Sequence, residues 1–413
     1  MATTRTPEVV VIGAGAAGLA AARALQALDR EVLVLEAKDR FGGRAFTSVH
    51  EFGVPFDHGC HWLHSGSLNP FAVLADSVGF RYRRRPVPRR LHLGSRWADR
   101  AELRRWHGYA RRQWRRIAAL ARDSGDVATG QALQPDPTWR IAFERWFAML
   151  SAAEPADSSA LDQLDYRDSG ENWPVREGFG TLISRLADGV PVRLNCTAEQ
   201  IRRRGEGVEV ISAQGRIGAA VAIVTVPAGV LAAGRPGFDP SLPPDRLAAA
   251  ANVRAGAAEK IAFGFDRNIF GQESPFSAMS LAAGRGMLGF QIRPWGWNMA
   301  IGFAGGALAR ELAALSDDDA AALALGQLSD MFGSTVRRHV TATVRTCWQR
   351  DPYILGGYST ARPGLVRQRE LLARPWAERI LFAGEATSPD FFSTAHGAYL
   401  SGLRAAVEAE ALL

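Results

Sequence analysis

The stretch that decides the fold is residues 8–36, EVVVIGAGAAGLAAARALQALDREVLVLE. Residues 8–12 are rich in β-branched side chains, 16–28 have a helical composition and 31–36 alternate hydrophobics. The pattern predicts a strand, a helix and a second strand, the βαβ opening of a parallel sheet. Gly13, Gly15 and Gly18 stand between the first strand and the helix in a G-x-G-x-x-G arrangement. In that context the glycines let backbone amides approach a pyrophosphate at a helix N-terminus, and an acid about 20 residues further on bonds a ribose hydroxyl. Glu36 supplies the acid, so the unit reads as a dinucleotide site rather than a flexible turn.

Working outward, the α/β signal returns after Gly178, with a helix predicted over 181–187 and strands over 192–194, 207–211 and 219–226. Between the two α/β stretches lies an arginine-rich region. Within it Leu103, Trp106, Ala110, Trp114, Ile117 and Ala121 recur at spacings of three and four, one face of an amphipathic helix. A second helix is predicted from Asp136 as N-cap with Pro137 at its first position, turning Trp139, Phe143, Trp146, Phe147 and Leu150 inward. Together they suggest an inserted helical lobe. Beyond Lys260, strands are predicted over 261–266, 287–292, 298–303 and 341–346. They are interrupted by a helix from Ser316, whose Asp317, Asp318 and Asp319 complement the helix dipole. The fold class expected is α/β (α+β overall). Residues 1–75, 176–245 and 359–413 form a Rossmann-like dinucleotide-binding domain. Residues 76–175 and 246–358 form a discontinuous substrate domain of mixed sheet plus helices.

The 413 residues are 47% apolar and 22% charged, the balance of a soluble globular chain. The formal charge is +7, but Lys38 and Lys260 are the only lysines among 49 basic residues. That skew marks a compositional drift toward arginine, so the basic balance is read as background and no nucleic-acid partner is expected. Cys60, Cys196 and Cys347 stand far apart without a C-x-x-C pair, which argues against a disulfide framework or a structural zinc and fits a reducing, cytoplasmic setting. The apolar stretch 9–25 follows Arg5 like a signal peptide, yet its glycine spacing explains it better. The run 218–234 carries Pro227 and reads as a buried strand ending in a turn, short of the roughly 20 residues a span needs. No membrane segment is expected.

Four segments carry a resemblance: EAKDRFGGR (36–44), DHGCHWLH (57–64), LFAGEAT (381–387) and FSTAHGAYLSG (392–402). They resemble those of the flavin-containing amine oxidases, the last resembling the polyamine oxidase branch. VTVP (224–227) and DPYILGGY (351–358) add to the likeness, whereas 80–165 offers none. The resemblance implies FAD with Glu36 on the adenosine ribose, Gly43 and Arg44 near the pyrophosphate or ribityl chain, and Gly384 and Glu385 in the same region. It further implies that Gly59, Cys60, His61 and Trp62 lie beside the flavin face, with a helix from Thr394 and Ala395 aimed at its pyrimidine ring. Lys260 falls where the family places a lysine that reaches flavin N5 through a water. A compact ammonium with a tunable pKa does not exchange with a guanidinium, which gives that lysine weight in an arginine-biased chain. Tyr358 matches one wall of an aromatic cage, and Thr394 replaces the second. His64 matches a histidine near the substrate amine. Trp173 and Trp348 are candidate pocket walls, and Asp168 and Glu171 candidates for attracting a remote ammonium. Gly357 stands where relatives with a cysteinyl flavin carry cysteine, so FAD is expected to be non-covalent.

The activity this implies is oxidation of an amine C–N bond with O2 as acceptor and hydrogen peroxide as product. A small-molecule amine is the partner, with no metal. A polyamine is the first substrate class, a monoamine or L-amino acid the next. A desaturase-like flavoprotein acting on an apolar substrate, and a non-enzymatic arginine-rich binding protein, are the competing classes.

Overall fold

A computed structural model describes residues 6–253, 255–281 and 286–413; Arg5 lies outside them. Five parallel strands form the first sheet in the order Ile380–Phe382, Val221–Val224, Val9–Ile12, Val32–Leu35, Val192–Arg193. Val9 and Val11 pack toward Leu19 and Leu25 of the helix Ala16–Gln26, while Val10 and Ile12 pack toward Val208 and Val210 of a second sheet. Both faces are covered, which is why the strand is apolar without alternation. A Cβ on Gly18 would lie 1.9 Å from the Gly13 carbonyl oxygen, so only glycine lets the helix seat this close to the strand end.

The second sheet has four strands, Gly215–Ala219, Gly207–Ser212, Ala198–Arg204 and Gly237–Asp239. Ala198–Arg204 was not predicted, because its sequence AEQIRRR is polar and Ile201 is its one fully buried side chain. Its partners on both sides, rather than its own composition, hold it extended. The expected strand over 219–226 divides at Ala220. Residues up to Ala219 pair antiparallel in this sheet, and Val221–Val224 joins the parallel one. After Pro227 the chain forms a short helix, Ala228–Ala232, instead of the expected turn.

The third sheet has six strands in the order Val340–Arg345, Ala258–Phe265, Met299–Gly305, Gly289–Ile292, Phe276–Ser280, Arg89–His92. One face, bearing Ile261, Phe263, Ala300, Phe290 and Phe276, packs on the helices Gly306–Ala314 and Asp317–Phe332. Register puts Lys260, Phe303, Gly289, Met279 and Leu91 in one row across the opposite face, with Ala262, Ile301, Gln291, Ser277 and Arg89 in the next. This face packs on Phe52 and Phe56 at one end and, through Leu91 and Met279, on the helical lobe at the other.

The lobe is built on Arg100–Ser124 and Trp139–Ser151, around Trp106, Tyr109, Ile117, Phe143 and Phe147. Asp99 and Glu102 close a capping box at the start of the long helix. The second helix begins later than expected. Asp136 accepts from the Thr138 and Trp139 amides at 2.9 and 2.7 Å, forming a turn before the helix, and Trp139 rather than Pro137 is the first helical residue. Leu150 is 47% exposed, contrary to the inward placement expected. The helix expected over 181–187 starts at Phe179 and tightens into a 3-10 turn after Ser184.

Candidate active site

A cavity of about 1210 Å3 runs between the glycine loop of the parallel sheet and the lobe. That exceeds the roughly 300–1,000 Å3 of an ordinary small-molecule pocket and suits a dinucleotide together with a substrate. Gly13, Gly15, Glu36, Gly43, Arg44, Gly59, Cys60, His61, Trp62, His64, Lys260, Tyr358, Gly384, Glu385, Thr394 and Ala395 all line it. Gly18 does not; it packs beneath. Trp348 lines the cavity and donates from its indole to the His58 carbonyl, whereas Trp173 is a core residue stacked on Tyr82 and is not a pocket wall.

The fit to a dinucleotide rests on two observations. A Cβ on Gly15 would meet no atom within 4 Å and would instead fill the cradle at the start of the helix Ala16–Gln26. At the other end, His61 Nε2 and the Gln291 side chain are buried on the cavity wall against each other, with no hydrogen bond to any other described residue, where the polar edge of a ligand would reach them.

Glu36 is buried and accepts from the Ala14 amide at 2.8 Å and the Lys38 amide at 2.9 Å, which fixes its carboxylate at the strand end. Glu385 accepts from Arg44, from the Ser359 amide and hydroxyl, and from the Ser393 amide. Burial pushes its pKa up, but Arg44, Ser359 and Arg369 outweigh that and hold the carboxyl below its ordinary range. Cys60 donates to the Arg44 carbonyl, and burial raises its thiol to about 11, so it stays protonated and unreactive at neutral pH.

Lys260 is 8% exposed and donates to the Asp57 and Gly59 carbonyls at 2.7 and 2.6 Å. The six-stranded sheet is thereby clamped to the 57–64 segment. Burial lowers its pKa to about 8, against the raising effect of Asp57. At neutral pH it remains an ammonium with one donor left over. The Phe303 ring lies 5.0 Å from Nζ, and the Trp62 ring 5.0 Å from Phe303. Asp57 organises the loop: it bonds His61 Nδ1 at 3.0 Å, the Thr47 hydroxyl, and the Phe179 and Gly180 amides. Burial opposes its charge, but these partners and Lys260 keep it ionised. His61 is depressed by burial and turns a neutral Nε2 toward the cavity.

His64 pairs through Nδ1 with the Asn172 side-chain oxygen, and burial depresses its pKa. The Tyr358 hydroxyl donates to the Met149 carbonyl of the lobe at 2.8 Å, which leaves its ring as a wall. Thr394 is committed to capping: its hydroxyl accepts from the Gly397 amide at 2.9 Å and donates to the Phe391 carbonyl at 2.6 Å. It positions the helix Ala395–Glu410 and presents no free group to a reacting atom. Asp168 and Glu171 line the mouth in their own hydrogen-bonded loop.

Sequence reasoning missed Asp57 as the organiser of the loop, Phe303 and Tyr166 on the cavity wall, and a pair that supports Glu385 from behind. Asp162 and Arg369 form a bidentate ion pair at 2.8 and 2.9 Å, 0% and 2% exposed. Arg369 also donates to the Ser359 hydroxyl, which donates to Glu385. The lobe and the cofactor end of the cavity are thus joined by one buried chain of charge. No sequence signal marked it, since the partners lie 207 residues apart.

Comparison with known proteins agrees with this geometry. The family described as flavin containing amine oxidoreductase matches residues 16–409, and the chain belongs to that family. Polyamine oxidase 4 of Oryza sativa subsp. japonica is 30% identical over 97% of this chain and 88% of its own length. Polyamine oxidase 2 of Arabidopsis thaliana is 29% identical over 98% and 88%. Lysine-specific histone demethylase 1B of Mus musculus is 28% identical over 97% of this chain but only 52% of its own length. A putrescine oxidase redesigned in its cofactor binding superposes with a TM-score of 0.83 at 19% identity, covering 98% of this chain and 99% of that one. The protein is a flavin-dependent enzyme of the amine oxidase class, with FAD as its cofactor. No described helix is long and apolar enough to cross a membrane, and no described cluster of His, Cys, Asp or Glu suits a metal ion.

Proposed function

We propose that this enzyme oxidises a C–N bond of an extended aliphatic amine, a polyamine or a related compound, with O2 as electron acceptor. The observation that carries the reading is Lys260, held by the Asp57 and Gly59 carbonyls on the wall of the cavity that the glycine cradle and Tyr358 also line. When bound, FAD supplies the redox chemistry, taking a hydride equivalent from the amine carbon and passing the electrons to oxygen to give peroxide and a hydrolysable imine. The residues of the chain provide position and electrostatics. Glu36, Arg44 and Glu385 would hold the cofactor, and the N-terminus of Ala395–Glu410 on the cavity wall would favour negative charge developing on it. The cationic Lys260 disfavours a second positive charge nearby, so the reacting amine is held neutral. His64, neutral through burial, accepts or relays the proton the amine gives up. Tyr358 presents a ring face that orients the nitrogen.

In this reading residues 1–75, 176–245 and 359–413 act as the cofactor unit and 76–175 and 246–358 as the substrate unit. Three unpaired cysteines suit a reducing, cytoplasmic setting. A panel of diamines, polyamines, monoamines and amino acids with peroxide detection tests the proposal. Peroxide released from aliphatic amines is expected. Silence across the panel, with turnover of an apolar polyene, would contradict it.

A further inference from the structure

The sheet face that carries Lys260 ends, four strands away, in Arg89, with which no carboxylate among the described residues pairs. Arg89 lies in the second row of that face beside Ser277 and Gln291, and all three line the cavity. Arg90 is turned to the opposite face and stacks on Trp97 at 4.1 Å. Among the described residues no carboxylate pairs with the Arg89 guanidinium, and His107 of the lobe is the titratable neighbour it acts on. The two carboxylates at the mouth do not compensate it. Glu171 is bonded to the Ser67 amide and the Ser169 hydroxyl and feels Arg84, and Asp168 is bonded to the Gly170 amide.

Charge is distributed in the same sense. Residues 81–124 hold fifteen arginines and three acids, a net +12, which leaves −5 for the rest of a chain whose total is +7. Three of those arginines, Arg84, Arg89 and Arg90, line the cavity and none of the three acids does, so this wall of the cleft favours an anionic group. Four inter-strand steps separate Lys260 from Arg89, about 19 Å at ~4.8 Å per step.

We infer that Arg89 binds a carboxylate at the distal end of the substrate, so that this chain selects an amine with an anionic tail over the polycation its polyamine oxidase relatives are named for. Of the three arginines on this wall, Arg84 lies against Tyr82 and Trp173 and Arg90 against Trp97, and the planar guanidinium of Arg89 suits one carboxylate in a two-point contact. The separation from Lys260 excludes an α-amino acid, whose carboxylate and amine share one carbon. The inference rests on the amine oxidase reading and sharpens its substrate class.

Three probes of equal chain length test it on the FAD-loaded enzyme: 8-aminooctanoate, 1,8-diaminooctane and n-octylamine. The wild type should favour the aminocarboxylate over the diamine by at least ~tenfold in kcat/KM, and added salt should narrow the gap. Arg89→Gln should shrink the ratio of aminocarboxylate to octylamine by about tenfold, through KM more than kcat, and Arg89→Lys should restore part of it. FAD content and circular dichroism verify that the variants are folded. Preference for the diamine in the wild type, or a ratio unmoved by Arg89→Gln, overturns the inference while the amine reading stands. Flavin that none of the three amines bleaches overturns both.

Discussion

The two ends of the cavity are built by different means. At the cofactor end, short loops bring backbone amides, glycines and buried carboxylates together, and most of those residues sit in contiguous segments: 13–18, 36–44, 57–64 and 381–395. At the substrate end, the wall is a sheet face assembled by register from Ala258–Phe265, Met299–Gly305, Gly289–Ile292, Phe276–Ser280 and Arg89–His92, closed by a helical lobe. A site made of local loops leaves a motif in the sequence. One made of strand register leaves only single residues two apart on separate strands.

The buried chain that joins the ends offers the largest test of this contrast. Arg369→Ala would leave Asp162 buried and unpaired, a loss of about 3–5 kcal/mol. Denaturant unfolding should show that loss, and gel filtration should strip FAD from the variant. Arg369→Lys should fall between the two. Unchanged stability would mean that the ends are joined only by packing.

Lys260 ties the same ends through its bonds to the Asp57 and Gly59 carbonyls. Lys260→Met should retain FAD but slow flavin reduction or reoxidation at least tenfold, a term of a few kcal/mol for a preorganised, dry charge. Its depressed pKa also sets a stability signature. The folded value of about 8 lies below 10.5, so between those pH values the unfolded chain binds more protons and stability rises with pH. The buried-charge penalty, on the order of 3 kcal/mol, is fully present below pH 8 and vanishes by about 10.5. The wild type should therefore gain stability over that window relative to Lys260→Met; parallel pH profiles would refute the assignment.

How much was legible follows the same division. The βαβ unit at 8–36, the glycine loop and the residues Glu36, Glu385 and Lys260, which the fold brings to one cavity, were readable because each rests on local spacing or on one rare residue type. The strands Phe276–Ser280 and Arg89–His92 were not, since FSAMS and RRLH carry no clear alternation and are held by their neighbours. Thr394 was read as a cage position, and only the structure shows its hydroxyl committed to a helix cap. Trp173 is a candidate wall by sequence, but Gly66 lets it pack into the core; a Cβ there would lie 2.3 Å from its ring.

Two smaller effects sharpen the comparison. FAD should be released by acid precipitation, leaving a colourless pellet, because the position before Tyr358 is Gly357 and the Cys60 thiol is protonated. Colour kept in the pellet would show a covalent link. In the lobe, Asp99→Ala removes one half of the capping box and should cost ~1 kcal/mol. Thermal unfolding should register it, with FAD affinity unchanged if the lobe helix start is independent of the cofactor end.

Anaerobic mixing of the FAD-loaded enzyme with an aliphatic amine, followed by the flavin's visible absorbance, tests the central claim most directly. Bleaching is expected, faster as pH rises because the reacting amine must be neutral, with His64→Asn slowing it more than it weakens FAD binding. A spectrum unchanged by amines across the pH range, in an enzyme that holds its FAD, would contradict the assignment of this cavity to amine oxidation.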